Sequence, residues 1–280
     1  MNAPYQDRIF RVIDHIYANP GADLSLDELA DMAAMSRFHW HRVFRAVTGE
    51  TLADAVRRIR MGRAAHWLIS TDWPVGQVAR SCGYPNLQSF TRAFADIHGL
   101  TPAAYRKRGT LVPVSPSVQK GDYPMLPVTI KTLPARRLAA MPHAGAYPGI
   151  GQAFEKAGAV FATRGLGAHI QGMIGVFLDD PMDTPEPELR SFAGMIVAAD
   201  FAVPAPLQVM LVPAGRHAVL TYQGPYAGLS AAYDYLYGNW LPGSGQEVGA
   251  APVYEHYLNT PADTAPDALL TELCLPLADT

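Results

Sequence analysis

A single carboxylate lies inside a short strand-like segment near the end of the chain. Successive side chains of a strand point to opposite faces, so in residues 253–258 Glu255 and Tyr257 share one face and Tyr254 and His256 share the other. Two interpretations of Glu255 are open: an edge-strand side chain in solvent, or a counter-charge for a cationic aromatic ligand, because a buried carboxylate is costly without a partner. The aromatic side chains that are candidates to line such a site are Tyr147, Tyr222, Tyr226, Trp240 and Tyr257.

Polar side chains also recur at helical spacing in the N-terminal half. Residues 26–49 and 75–99 each predict a short helix, a tight turn and a second helix with one apolar face. At an offset of 50, Trp40 aligns with Phe90 and Arg42 with Arg92. The predicted polar faces can donate to base edges and phosphates, and they carry Arg37, His41, Arg42 and Arg45 in the first copy and Gln88, Ser89 and Arg92 in the second.

The surrounding elements divide the chain into two domains. A long helix over about 52–69 separates the two helical units, and Ser36 is a plausible N-cap for the second helix of the first unit. Residues 111–125 are rich in Pro, Ser and Gly, which predicts a linker. Short apolar runs between turn signals then predict strands with occasional helices. We therefore expect an all-α double helix-turn-helix domain at 1–110 and an α+β domain at 126–280.

The C-terminal half contains an internal repeat of its own. Residues 133–154 align without a gap to residues 212–233 at an offset of 79, and each copy predicts a strand, a Gly-x-Tyr turn and a helix. Later segments align at an offset of 80, where Gly175 corresponds to Glu255. The repeat predicts two pseudo-symmetric strand–helix–strand–strand modules with a groove between them, and such grooves commonly hold ligands.

Composition and charge limit the class of protein. The 280 residues are 49 % apolar and 17 % charged, which predicts a packed core and excludes a wholly disordered chain. The sequence shows neither a secretory signal nor an apolar run long enough for a membrane span, and only Cys82 and Cys274 occur, which suggests a reducing cytoplasm. Residues 1–112 carry 14 basic and 10 acidic side chains, whereas the remainder carries 8 and 15, so the two halves suit different partners.

The N-terminal half resembles the DNA-binding domain of the AraC/XylS family. The resemblance rests on Ala79-Arg-Ser-Cys-Gly-Tyr84, Phe90-Thr-Arg-Ala-Phe94 and Gly99-Leu-Thr-Pro-Ala-Ala-Tyr-Arg106. In that family the second helix of each unit, the recognition helix, enters the major groove, and the two grooves lie roughly 34 Å apart. The resemblance implies base contacts from Phe38, His41, Arg42, Leu87, Gln88, Ser89 and Arg92, and phosphate contacts from Arg37, Arg45 and Thr91.

Residues from about 126 to 278 resemble the GyrI-like effector-binding domain. The motifs that carry this resemblance are Gly145-x-Tyr147, Leu178-Asp-Asp-Pro181, Gly224-Pro-Tyr226, Leu236-Tyr-Gly-Asn-Trp-Leu-Pro242 and Tyr254-Glu-His-Tyr257. In multidrug-responsive relatives a Glu on this strand pairs with cationic drugs, and Glu255 matches its position.

Three hypotheses of function follow. The leading one is a cytoplasmic, non-enzymatic transcription regulator that binds double-stranded DNA, a small hydrophobic or cationic effector and RNA polymerase, with no cofactor and no metal. The second is a hydrolase of small reactive molecules in which Glu255 acts as general base. The third is a protein-interaction module whose acidic surface imitates nucleic acid.

Overall fold

A computed structural model describes residues 3–111, 126–181 and 183–279. Most of the predicted linker, from residue 112 to 125, lies outside the described residues. By their contacts the described residues form two compact units, one of residues 3–37 and 44–111 and the other of residues 38–43, 126–181 and 183–279. Residues 38–43, which belong to the first predicted recognition helix, therefore group with the C-terminal half of the sequence.

The N-terminal half is helical throughout its described secondary structure. Its helices are α1 (Ala3–Ala18), α2 (Leu26–Met32), α3 (Arg37–Thr48), α4 (Leu52–Ser70), α5 (Val75–Ser81), α6 (Leu87–His98) and α7 (Pro102–Arg108). The two predicted recognition helices correspond to α3 and α6, and α4 is the long helix predicted between the units. None of the described helices is long and apolar enough to cross a membrane.

Local sequence signals set where these helices begin and end. The side chain of Thr51 accepts a hydrogen bond from the amide of Asp54 at 3.1 Å, which caps α4. The Asn86 side chain accepts from the amide of Ser89 at 2.8 Å and caps α6 in the same way. Gly99 ends α6 with φ +69°, a left-handed conformation that glycine adopts without steric cost.

Helix α4 supplies much of the core around the second helix-turn-helix. Its Met61, Ala64 and Leu68 pack in one buried cluster with Phe90 and Phe94 of α6. The small side chain of Ala79 on α5 belongs to the same cluster, which lets α5 and α6 approach closely. The buried cluster thereby fixes α6 by its apolar face and leaves the opposite face to solvent.

The C-terminal half consists of one β-sheet and three α-helices among its described residues. The strands are β1 (Val128–Leu133), β2 (Arg136–Ala144), β3 (Gly172–Phe177), β4 (Arg190–Val197), β5 (Gln208–Val212), β6 (Gly215–Gln223), β7 (Tyr254–Tyr257) and β8 (Leu270–Pro276). They form one eight-stranded sheet in the order β1-β6-β8-β7-β3-β4-β2-β5, and all pairs are antiparallel. The helices are α8 (Gly151–Thr163), α9 (Leu229–Tyr235) and α10 (Leu241–Ser244), with a π-helical turn at Leu236–Trp240 between the last two.

The sheet confirms the predicted pseudo-symmetric fold, but each repeated module has one more strand than the sequence predicted. Each module begins with a strand that pairs with the other module, because β1 pairs with β6 and β5 pairs with β2. The modules meet where β3 pairs with β7, and there Gly175 lies directly opposite Glu255. The residues that the offset of 80 aligned are therefore direct neighbours at the centre of the sheet.

One face of the sheet is covered by helix α8. Ala157 and Phe161 of α8 pack with Ala139 of β2 and Met195 of β4. The alternate residues of the strands, including Ile174, Val176 and Tyr254, form a separate buried cluster on the opposite face. Glu255 and Tyr257 alternate with Tyr254, so they lie on the helix-covered face, where Phe154 of α8 contacts Tyr257.

Candidate functional site

The recognition helix α6 presents the polar face that its sequence predicts. Gln88, Ser89 and Arg92 are exposed, and Thr91 is partly buried. Leu87, at the start of the helix, is 51 % exposed. Because Asn86 caps the helix and Phe90 and Phe94 anchor it, these polar side chains lie on a rigid element with free access to solvent. The geometry suits contacts to bases and phosphates.

The matching face of α3 is different, and the prediction that it is solvent-exposed is wrong for its central residues. Arg37 is exposed, and Phe38 and Arg45 are partly buried, but His41 and Arg42 are buried. Both side chains lie against acidic side chains remote in sequence. His41 Nδ1 lies 3.0 Å from Asp183 Oδ2, and Arg42 Nε lies 4.0 Å from Asp180 Oδ2.

The guanidinium of Arg42 also lies against two tyrosine rings of the helical segment that follows β6. Its Cζ is 4.5 Å from the ring centroid of Tyr233, on α9, and 5.3 Å from that of Tyr237, in the π-helical turn. These distances are within the range of cation–π attraction. Burial lowers the pKa of Arg42, but the neighbouring Tyr237 and Asp180 raise it more strongly together, so this side chain stays charged.

Glu255 lies within hydrogen-bond reach of two tyrosine hydroxyls. Tyr257 donates to Glu255 Oε2 at 2.7 Å, and Tyr233 donates to Oε1 at 3.1 Å. The ring of Tyr257 packs at 5.4 Å from the rings of both Tyr226 and Phe154. These five residues, Glu255, Tyr233, Tyr257, Tyr226 and Phe154, form what we call the Glu255 cluster.

The electrostatics of Glu255 reflect its burial. The residue is only 6 % exposed, so the interpretation as a solvated edge-strand side chain is wrong. Burial raises the pKa of Glu255 to about 7, and the hydrogen bonds from Tyr257 and Tyr233 and the charge of Arg42 oppose that rise. Both tyrosines have a raised pKa, because burial disfavours the phenolate, so each remains a hydrogen-bond donor at neutral pH.

Gly175 makes room for this arrangement. A Cβ at Gly175 would lie 2.7 Å from the hydroxyl oxygen of Tyr257 and 3.1 Å from the ring of Phe177. Contacts of 2.7 Å do not occur for real Cβ atoms, so any side chain here would displace the hydroxyl that donates to Glu255. One module therefore supplies the carboxylate, and the other supplies the space for its hydrogen-bond donor.

The remaining aromatic candidates make their contacts elsewhere. The Tyr147 hydroxyl donates to the carbonyl of Asp179 at 2.8 Å, and its ring packs on Phe177. The Tyr222 hydroxyl donates to the carbonyl of Pro225 at 3.3 Å, within the Gly224-Pro-Tyr226 turn. Trp240 is partly buried at the end of the π-helical turn. Their assignment to a ligand site stays a prediction.

Sequence reasoning missed Tyr233 and Tyr237, which contact Arg42. Tyr233 and Tyr237 lie four positions apart on one helical face, a spacing visible in the sequence. The tyrosines follow the repeated Gly224-Pro-Tyr226 motif, so the spacing could have drawn attention to them. No sequence signal places Arg42 against them, because the contact joins positions 191 residues apart.

A chain with two helix-turn-helix units and a pseudo-symmetric α+β unit has the architecture of a DNA-binding protein with an attached ligand-binding part. Matches to known family models support the same two parts. Residues 29–108 match a helix-turn-helix domain model of the AraC type, and residues 126–278 match the GyrI-like small molecule binding domain. The second match covers more than half of the chain, which therefore belongs to the GyrI-like family and carries an AraC-type domain before it.

Individual relatives match the helical half. Regulatory protein SoxS of Escherichia coli K12 is 35 % identical over 103 residues, which are 37 % of this chain and 92 % of SoxS. The bifunctional transcriptional activator/DNA repair enzyme AdaA of Bacillus subtilis is 31 % identical over 104 residues, 37 % of this chain and 49 % of AdaA. The chain thus spans only about half of AdaA. The solved EcmrR C-terminal domain is 15 % identical with a TM-score of 0.45, and the match covers 56 % of this chain and 99 % of that domain.

Proposed function

We propose that this chain is a DNA-binding transcription regulator whose C-terminal half binds a small cationic aromatic effector. The observation that carries the effector class is Glu255, a buried carboxylate hydrogen-bonded to two tyrosines and surrounded by aromatic rings. Such a site favours a delocalised cation, since the carboxylate supplies charge and the rings supply cation–π and apolar contact. A neutral hydrophobic ligand would add no counter-charge to this buried carboxylate.

The DNA-binding part of the proposal rests on α6. Its exposed Gln88, Ser89 and Arg92 can contact base edges, and the basic N-terminal half favours duplex DNA. Phosphate contacts come from Arg37, Arg45 and Thr91, and the second set of base contacts comes from α3. We place the chain in the cytoplasm, acting on transcription through promoter DNA and RNA polymerase, without enzymatic turnover.

The effector assignment is tested with tetraphenylphosphonium, a delocalised cation with four aryl groups, by isothermal titration calorimetry on the full chain. We expect saturable binding that Glu255→Gln weakens at least tenfold. Glu272→Gln is the matched control, because Glu272 lies on the adjacent strand and pairs with Lys131 and His256 instead of the Glu255 cluster. Equal affinity in the wild type and Glu255→Gln would contradict the assignment.

The regulator assignment is tested by titrating the chain with duplex DNA from its own upstream region at two salt concentrations. Phosphate contacts release counterions, so we expect the affinity for DNA to fall steeply as salt rises. A shuffled duplex of the same length is the control. Equal affinity for both duplexes would contradict sequence-specific binding.

One observation favours the hydrolase hypothesis as a second candidate. A carboxyl group with a pKa of about 7 suits general-base activation of water at neutral pH. Incubation with a reactive ester such as 4-nitrophenyl acetate separates the two candidates. Turnover that Glu255→Gln abolishes would favour the hydrolase, whereas tetraphenylphosphonium binding without turnover would favour the effector sensor.

A further inference from the structure

Arg42 shares with a cationic aromatic effector the features that the Glu255 cluster selects. Its guanidinium is planar, delocalised and positively charged, and such groups stack on aromatic faces. It lies 4.5 Å from the ring centroid of Tyr233, the same tyrosine whose hydroxyl donates to Glu255. The charge of Arg42 also acts on Glu255, where it lowers the pKa of the carboxyl group against the larger effect of burial.

The neighbouring residue His39 holds this segment of α3 in place. Its Nε2 donates to the carbonyl of Ala251 and its Nδ1 accepts from the Tyr237 hydroxyl, both at 2.7 Å. Burial lowers the pKa of His39 to about 4, so the ring is neutral at physiological pH and can make both bonds at once. Residues 38–43 are thus fixed to the unit that contains Glu255.

The ion pair of Arg42 with Asp180 is loose. Asp180 Oδ2 lies 4.0 Å from Arg42 Nε, which is longer than a hydrogen bond. Arg42 Nη1 is buried and has no hydrogen-bond partner among the described residues. A cation that is paired only loosely with a carboxylate is released to water at a lower cost than one in a hydrogen-bonded ion pair.

We propose that Arg42 is an internal ligand of the effector site and that a cationic effector displaces it, which frees the Arg42 side chain to contact DNA. The same side chain cannot lie over Tyr233 and contact a base at once, so an effector that takes the place of Arg42 over the Tyr233 ring favours the form in which Arg42 can contact DNA. This inference rests on the proposed function and adds a means by which effector binding reaches DNA. The effector acts because it binds the form with Arg42 released and not the form with Arg42 in place.

The first test compares the affinity for tetraphenylphosphonium of the wild type, Arg42→Gln and Arg92→Gln, using the full chain without DNA. An internal competitor reduces the apparent affinity by the fraction of molecules in which it occupies the site, so we expect Arg42→Gln to bind about tenfold tighter or more. Arg92 is the repeat-related position on α6, and its variant should match the wild type. Arg42→Lys, which keeps the charge without the planar group, should bind with intermediate affinity.

The outcomes separate this inference from the function on which it rests. Unchanged or weaker binding by Arg42→Gln, with binding still lost in Glu255→Gln, would overturn the internal ligand and leave the effector site standing. If neither the wild type nor Arg42→Gln binds the cation, both proposals are overturned. Tighter binding by Arg42→Gln, lost again in the double variant with Glu255→Gln, would support both.

A second test needs no substitution and so does not depend on how a variant folds. The arginine reagent phenylglyoxal is applied to the wild-type chain with and without tetraphenylphosphonium, and modified peptides are quantified by mass spectrometry. We expect Arg42 to react slowly alone and at least several-fold faster with the cation. Exposed Arg92 should react equally in both samples. Protection of Arg42 that persists at saturating tetraphenylphosphonium would contradict displacement.

Discussion

The two recognition helices follow one sequence plan and differ in what surrounds them. Trp40 of α3 and Phe90 of α6 are both fully buried, as their alignment predicts. Two positions later, Arg92 is exposed to solvent, whereas Arg42 is buried against Tyr233 and Tyr237. Spacing therefore predicts which face of a helix can contact DNA, but contacts remote in sequence decide whether that face is accessible.

The largest expected effect is on stability, at the buried aromatic position that the two helices share. Trp40→Ala and Phe90→Ala each remove a large, fully buried aromatic side chain, so we expect each to lower the free energy of unfolding by about 3–5 kcal/mol. Urea denaturation followed by circular dichroism measures this loss. A cost below about 1 kcal/mol for either variant would contradict the structural equivalence of the two positions.

The affinity for DNA should respond differently to substitutions on α6 and on α3. Without effector, Arg92→Ala should weaken binding to the upstream duplex by about 1–3 kcal/mol if Arg92 contacts a base. Arg42→Ala should have a much smaller effect under the same conditions, because Arg42 is buried. Fluorescence anisotropy with labelled duplex gives both affinities. Equal losses in the two variants would show that α3 contacts DNA without an effector.

The pH dependence of cation binding should follow the charge of the Glu255 carboxyl group. Its pKa is raised to about 7, chiefly by burial, so the carboxyl group is mostly neutral at pH 6 and mostly charged at pH 8. Affinity for tetraphenylphosphonium, which does not titrate, should therefore rise about tenfold over that range. Tyr233 and Tyr257 have raised pKa values and stay protonated throughout. A profile of the same shape in Glu255→Gln would assign the dependence to another group.

The smallest effect concerns the start of α6. Asn86→Ala removes the side chain that accepts from the Ser89 amide, and should lower the free energy of unfolding by about 1 kcal/mol. Asn86→Ser retains an N-cap oxygen and should cost less. Thermal unfolding of the two variants checks the difference. Equal midpoints for the two variants would mean that the cap does not stabilise α6.

Much of the fold follows from the sequence, because it depends on local or repeated signals. Periodicity predicted a helix over about 52–69, and α4 spans Leu52–Ser70. The offset of 80 paired Gly175 with Glu255, and the sheet places them opposite each other. The strand β1 was visible as an apolar run, but its partner β6 in the other module was not, since pairing between modules leaves no local signal.

The candidate site was predictable only in part, because contacts between residues remote in sequence leave no local signal. Alternation placed Glu255 and Tyr257 on one face, where they share a hydrogen bond. Tyr233 donates to Glu255 and Arg42 lies over the Tyr233 ring, and neither periodicity nor the repeat predicts these tertiary contacts. A polar pattern on a helix is compatible with solvent, with DNA and with an aromatic site, and only the three-dimensional structure distinguishes these.

The most direct test of the central claim is the affinity for upstream DNA measured with and without saturating tetraphenylphosphonium. The account predicts that the cation tightens DNA binding by the wild type, because it releases Arg42 from Tyr233, and that it has no effect in Glu255→Gln. Calorimetric binding of the cation to the wild type with no change in DNA affinity would contradict the coupling between Glu255 and α3.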